Sequence, residues 1–160
     1  MTKPLWQYSA VDLHRGITGR DFSARDVVAA VTARMQAENP RLNAVVYDYT
    51  DQALVQADLV DARLASGAAP RMLEGIPVTV KVNVDLMGTP TTNGLPVFAN
   101  NLAPGNSPIV QNLLNEGAII IGKTNTPELS MRGTTDNPLH GLTKSPWDER
   151  ASPGGSSGGA

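Results

Sequence analysis

The spacing of apolar positions divides the chain into a helical first third and a strand-bearing middle. In SARDVVAAVTARMQAENP, Ser23 stands three residues before Asp26, a variant of the capping box, and Val27, Val28, Val31 and Met35 then fall on one stripe. The pattern predicts an amphipathic helix that Pro40 stops. SAVDLHRG predicts a shorter helix before it, capped by Ser9 and stopped by Gly16, with His14 solvated among polar neighbours. LNAVVYDY, rich in branched and aromatic residues, reads as a first strand. Another helix follows, with Ala53, Ala57, Val60 and Leu64 on one face and Gly67 at its exit.

After SGAAPRMLEG the period changes. IPVTVKVNVD alternates, with Val78, Val80, Val82 and Val84 on one side and Thr79, Lys81, Asn83 and Asp85 on the other, which predicts a half-exposed strand. The next segment, LMGTPTTNGLPVFANNLAPGN, is too polar and broken for regular structure, and long loops inside compact domains commonly carry function. SPIVQNLLNEG then predicts a helix with Ser107 as cap, Pro108 in the first turn and Gly117 at the exit. AIIIG is a short apolar strand of the kind covered on both faces. Strand, crossover with helix, and strand make a βαβ unit, whose strands run parallel. From Lys123 onward the chain reads as loop. The fold class expected is α/β, with N-terminal helices followed by part of a mixed β-sheet flanked by helices.

Composition narrows the function. The 160 residues are 41% hydrophobic and 18% charged with a net charge of −2, which fits a soluble globular domain and leaves no basic surplus for nucleic acid. No apolar run is long enough to span a membrane, and MTKPLWQYSA lacks a signal-peptide core, so the expected location is cytoplasmic, with no membrane partner. There is no cysteine, and the two histidines, His14 and His140, lie in separate segments. A disulfide, a thiolate nucleophile, a Cys-based zinc site and a His-based metal site or triad are therefore not expected.

Three motifs carry candidate chemistry. GAIIIGKT satisfies the phosphate-loop pattern G-x-x-x-x-G-K-[ST], but its variable residues are the strand itself, and a new capped turn begins at Thr126 and Pro127 where that loop needs a helix. Lys81 reads equally as one polar position of a half-exposed strand or as a group at a C-terminal strand end, where open α/β sheets keep ligand crevices. The terminal SPGGSSGGA reads as a flexible linker or as a catalytic turn whose glycines let other backbone approach the serines. Without a usable histidine, a serine nucleophile needs another base, and a lysine made neutral by burial can serve.

Four blocks in order, SARDVVAAVTARMQAENPRLNAVV, LEGIPVTVKVNVDLMGTPTTNG, AIIIGKTNTPELSM and TDNPLHGLTKSPWDERASPGGSSGG, resemble the amidase signature family of Ser-Ser-Lys amide hydrolases. The resemblance covers nearly the whole chain and implies that residues 1–160 are the N-terminal portion of a single amidase signature domain. It makes Lys81 the catalytic lysine and Ser156 the bridging serine, preceded by a cis peptide bond after Gly155. Ser157 then supports the turn, Thr126 and Met131 line the substrate pocket, and the nucleophilic serine lies beyond residue 160. It further implies an acyl-enzyme, a small-molecule amide substrate and no cofactor, and it leaves homo-oligomer formation open. One departure is Val82, where the family commonly has an acidic residue after the lysine. Two rivals remain open: the catalytic subunit of a tRNA-dependent amidotransferase, which supplies ammonia to a partner, and a non-catalytic domain that retains the fold.

Overall fold

The computed structural model describes residues 3–160, which form two compact units. Its elements are α1 (Ala10–Gly19), α2 (Ala24–Leu42), β1 (Val45–Asp48), α3 (Thr50–Ala65), β2 (Pro77–Lys81), α4 (Pro108–Asn115) and β3 (Ile119–Thr124). The sheet order is β1-β3-β2, with β1 antiparallel to β3. Ile119 N–H donates to the carbonyl of Ile76, and Val82 N–H to that of Thr124, both at 2.9 Å. Partners therefore advance together along β2 and β3, which makes this pair parallel and the sheet mixed.

The first unit comprises the chain as far as Gln36, Tyr49–Val78 and Asn112–Ile121. Its core gathers Leu13 and Ile17 of α1, Val27 and Val28 of α2, Ala53, Ala57 and Val60 of α3, and Ile76, Ile119 and Ile121 from the strand region. Burying each large aliphatic side chain stabilises the unit by roughly 1.5–3 kcal/mol. The α2 start is a reciprocal box: Ser23 N–H donates to Asp26 Oδ2 and Asp26 N–H to Ser23 Oγ, each at 2.9 Å. Glu74 is fully buried and held by Arg71, 2.8 Å away, and by Arg63. Burial alone would raise its pKa, but the hydrogen bonds from Arg71 and Arg63 outweigh it and bring the carboxyl to about 2.

The second unit comprises Ala37–Asp48, Thr79–Gln111 and Gly122–Ala160. Here irregular backbone predominates. Residues 86–106 contain only the 3₁₀ turn Pro96–Phe98 and a single bridge between Pro90 and Leu102. Val110 N–H donates to Ser107 Oγ at 3.4 Å, so Ser107 caps α4.

Several sequence expectations are corrected. Pro40 does not stop α2, which contains it and runs on to Leu42; Asn43 then takes a left-handed φ of 53° as its N–H donates to Asn39 O. Gly16 does not stop α1 either, because Ile17, 2% exposed, is drawn into the core and the helix ends in a left-handed cap at Arg20. His14 is half-buried rather than solvated, with Nε2 2.9 Å from the carbonyl of Arg71. The alternating strand ends at Lys81, four residues early, since Val84 N–H turns back to Lys81 O at 2.9 Å. Among the described residues no helix is long and apolar enough to cross a membrane.

Candidate active site

The end of β2 brings Lys81 to the site, and the turn after it prevents the lysine from being one more rung of a ladder. Val82, buried completely, anchors that end through its N–H to Thr124 O. Lys81 Nζ lies 2.8 Å from Ser156 Oγ, joining positions 75 residues apart in sequence. Burial pushes the lysine pKa below its ordinary value of 10.5. A depressed pKa gives the amine a larger neutral fraction, able to accept a proton from a hydroxyl.

Ser156 sits in a turn pinned by hydroxyls. Thr135 Oγ1 donates to Gly154 O at 2.8 Å and Thr126 Oγ1 to Ser156 O at 3.1 Å, so the carbonyls on either side of Gly155 are both fixed. The peptide bond between Gly155 and Ser156 is cis. Gly155 packs directly on the carbonyl of Arg132, and Gly159 on Ala44 O and Asn125 N, which leaves no room for a Cβ at either position. Ser157 closes the turn, its carbonyl accepting Ala160 N–H at 3.1 Å.

Behind the turn lies a buried amide and hydroxyl lattice. Asn125 Oδ1 accepts from Asn137 Nδ2 at 2.7 Å, while Asn125 Nδ2 donates to Thr143 Oγ1 at 2.9 Å and Gly141 O at 3.1 Å. Thr143 Oγ1 in turn donates to Asn43 O at 2.7 Å. Satisfied in this way, the lattice rigidifies the loops that carry Thr126, where an unmet group would be costly. Asn83 Nδ2 donates to Ser130 Oγ at 3.0 Å, and Ser130 Oγ lies 2.9 Å from Thr126 Oγ1. Thr126 is fully buried, whereas Met131 is 80% exposed.

Residues 26–160 match the sequence model of the family described as Amidase. The chain belongs to the amidase signature family. It is 52% identical to the indoleacetamide hydrolase of Bradyrhizobium diazoefficiens over 157 residues, which is 98% of this chain and 30% of that protein. It is 36% identical to a glutamyl-tRNA(Gln) amidotransferase subunit of Trichodesmium erythraeum, covering 95% of this chain and 31% of that one. A bacterial aryl acylamidase of the family superposes with a TM-score of 0.94 at 31% identity, over 99% of this chain and 33% of that chain. The chain thus spans about 30% of the length of these curated relatives.

Within this chain of the amidase signature family, two features stand apart from Lys81. Val82 supplies a buried methyl surface where the resemblance leads one to expect a carboxylate, and the carboxylate of Asp85 acts instead on Lys123. Lys123, the lysine of the phosphate-loop lookalike, is on β3 with Nζ donating to Pro90 O at 2.8 Å. Gly122 and Thr124 belong to the same strand, so the backbone N–H groups are spent on the sheet rather than arranged around an anion. Ser130, Thr135, Asn125 and Asn137 escape a reading of the sequence because they follow no period. Only the loop-rich blocks that resemble the family mark their neighbourhood.

Proposed function

We propose that this chain is the N-terminal portion of an amide hydrolase that uses a Ser-Ser-Lys triad, with Lys81 as base, Ser156 as bridge and the nucleophilic serine supplied from sequence outside these residues. The observation that carries the reading is the 2.8 Å approach of Lys81 Nζ to Ser156 Oγ. With Lys81 neutral, Ser156 Oγ–H donates to the amine lone pair. As the nucleophilic hydroxyl attacks the amide carbonyl carbon, its proton moves to Ser156 Oγ and that of Ser156 moves to Lys81. The new C–O bond gives a tetrahedral intermediate. Return of the proton along the same path to the leaving nitrogen breaks the C–N bond, releases the amine and leaves an acyl-enzyme that water hydrolyses. Ser157 and Gly155 support the turn in this scheme, and the exposed Met131 is left to line the acyl or amide pocket.

Identity of 52% with an indoleacetamide hydrolase, against 36% with an amidotransferase subunit, favours a stand-alone hydrolase of small primary amides with an aromatic acyl group. Ammonia release from indole-3-acetamide by a chain of the relatives' full length tests this. Release by that chain, lost in Ser156→Ala, supports it; ammonia produced only when a tRNA-binding partner is present favours the amidotransferase reading.

A further inference from the structure

We infer that Asn83, Ser130 and Thr126 form a one-way hydrogen-bond relay that positions Ser156, with Ser130 as its middle member. The inference rests on the reading of Ser156 as the bridging serine. Proton counting sets the direction. Ser156 O can only accept, so the single hydroxyl proton of Thr126 goes to it, across 3.1 Å. The 2.9 Å contact between Thr126 and Ser130 then has Ser130 as donor. With its own proton spent, Ser130 Oγ accepts from Asn83 Nδ2 at 3.0 Å. A reversed Asn83 amide would set oxygen against an oxygen with no proton left to give, so the relay also fixes that amide. Its consequence is visible: Asn83 Oδ1 is buried and accepts from no described group.

The backbone points the same way. Leu129 and Ser130 have φ of 51° and 60°, two consecutive left-handed residues of which neither is glycine. Leu129 N–H to Asn93 O at 2.9 Å helps hold the turn. Glycine would adopt this backbone freely, yet it would carry no hydroxyl. The serine thus accepts an unfavourable conformation and supplies the one group that joins Asn83 to Thr126. Fixing the carbonyl of Ser156 restricts the rotation of the residue whose Oγ must face Lys81 and also meet the nucleophile. Thr126, fully buried, serves Ser156 in this assignment rather than the substrate.

The test uses a chain of the relatives' full length, with kcat and KM measured on indole-3-acetamide. The variants are Ser130→Ala, Ser130→Gly, Thr126→Val, Thr126→Ser and Ser156→Ala. The relay predicts kcat reduced about 10–100-fold in both Ser130 variants and in Thr126→Val, with KM within about twofold and Thr126→Ser within about threefold of wild type. Ser130→Gly decides, because a purely conformational role would leave it at wild-type kcat or above, and its backbone preference favours folding. Wild-type kcat in Ser130→Gly alongside an inactive Ser156→Ala overturns the relay and leaves the bridging assignment standing. An active Ser156→Ala overturns both.

Discussion

Lys123, itself fully buried, projects from the middle strand to the carbonyl of Pro90, 2.8 Å away. Burial lowers its pKa to about 8, against an opposing pull from Asp85. Between pH 8 and its ordinary 10.5 the unfolded chain binds more protons at this lysine than the folded chain does, so stability rises with pH across that window. Below pH 8 the penalty of burying the charge is fully present. Lys123→Met removes it along with the tie to Pro90. The melting-temperature difference, variant minus wild type, is expected to fall as pH rises from about 8 to 9.5. A difference independent of pH in this range would contradict the assignment.

Glu74 has the opposite sign. Its carboxyl, at about 2 in the fold and 4.5 in its ordinary state, contributes stability present above pH 4.5 and lost as pH falls toward 2. Glu74→Gln leaves Arg63 and Arg71 facing a neutral amide and is expected to cost about 3–5 kcal/mol in urea unfolding, with a weakened acid limb. A loss below about 1 kcal/mol would place the pair among ion pairs of little consequence.

The nucleotide lookalike is testable separately. Because Gly122, Lys123 and Thr124 are strand residues, ATP with magnesium should leave the melting temperature unchanged. A concentration-dependent rise would show that phosphate binds by some other arrangement.

Helices were legible because burial imposes a period: Val27 and Val28, or Ala53, Ala57 and Val60, recur where one face meets a core, whereas the parallel strand pair followed from the helix-bearing crossover between its strands. Ends were less legible. Pro40 and Gly16 are local breakers, and each was overruled by contacts the sequence does not display, the cap at Asn43 and the burial of Ile17. Lys81 could be singled out by its strand and by the lack of a usable histidine, but alternation also suggested a strand four residues too long. Ser130 and Thr135 were invisible, since a hydroxyl aimed at one distant carbonyl or amide leaves no repeating trace. The resemblance joined Lys81 to Ser156; periodicity could not.

The pH dependence of turnover follows from the direction of the Lys81 shift. A base must be neutral to accept a proton, and burial lowers the lysine pKa, so kcat/KM should rise with pH through a midpoint below 10.5. Lys81→Arg, which keeps its charge at all accessible pH, should show no such limb and little activity. A wild-type profile flat from about pH 5 to 10 would remove the lysine from the rate equation.

The most direct measurement is kcat/KM for indole-3-acetamide in Lys81→Ala, made in a chain of the relatives' full length with its fold checked by circular dichroism. Loss of the base beside Ser156 predicts a fall of about 10²–10⁴-fold with an unchanged spectrum. Turnover within about tenfold of wild type in that variant would contradict the proposal that the Lys81–Ser156 pair moves the proton.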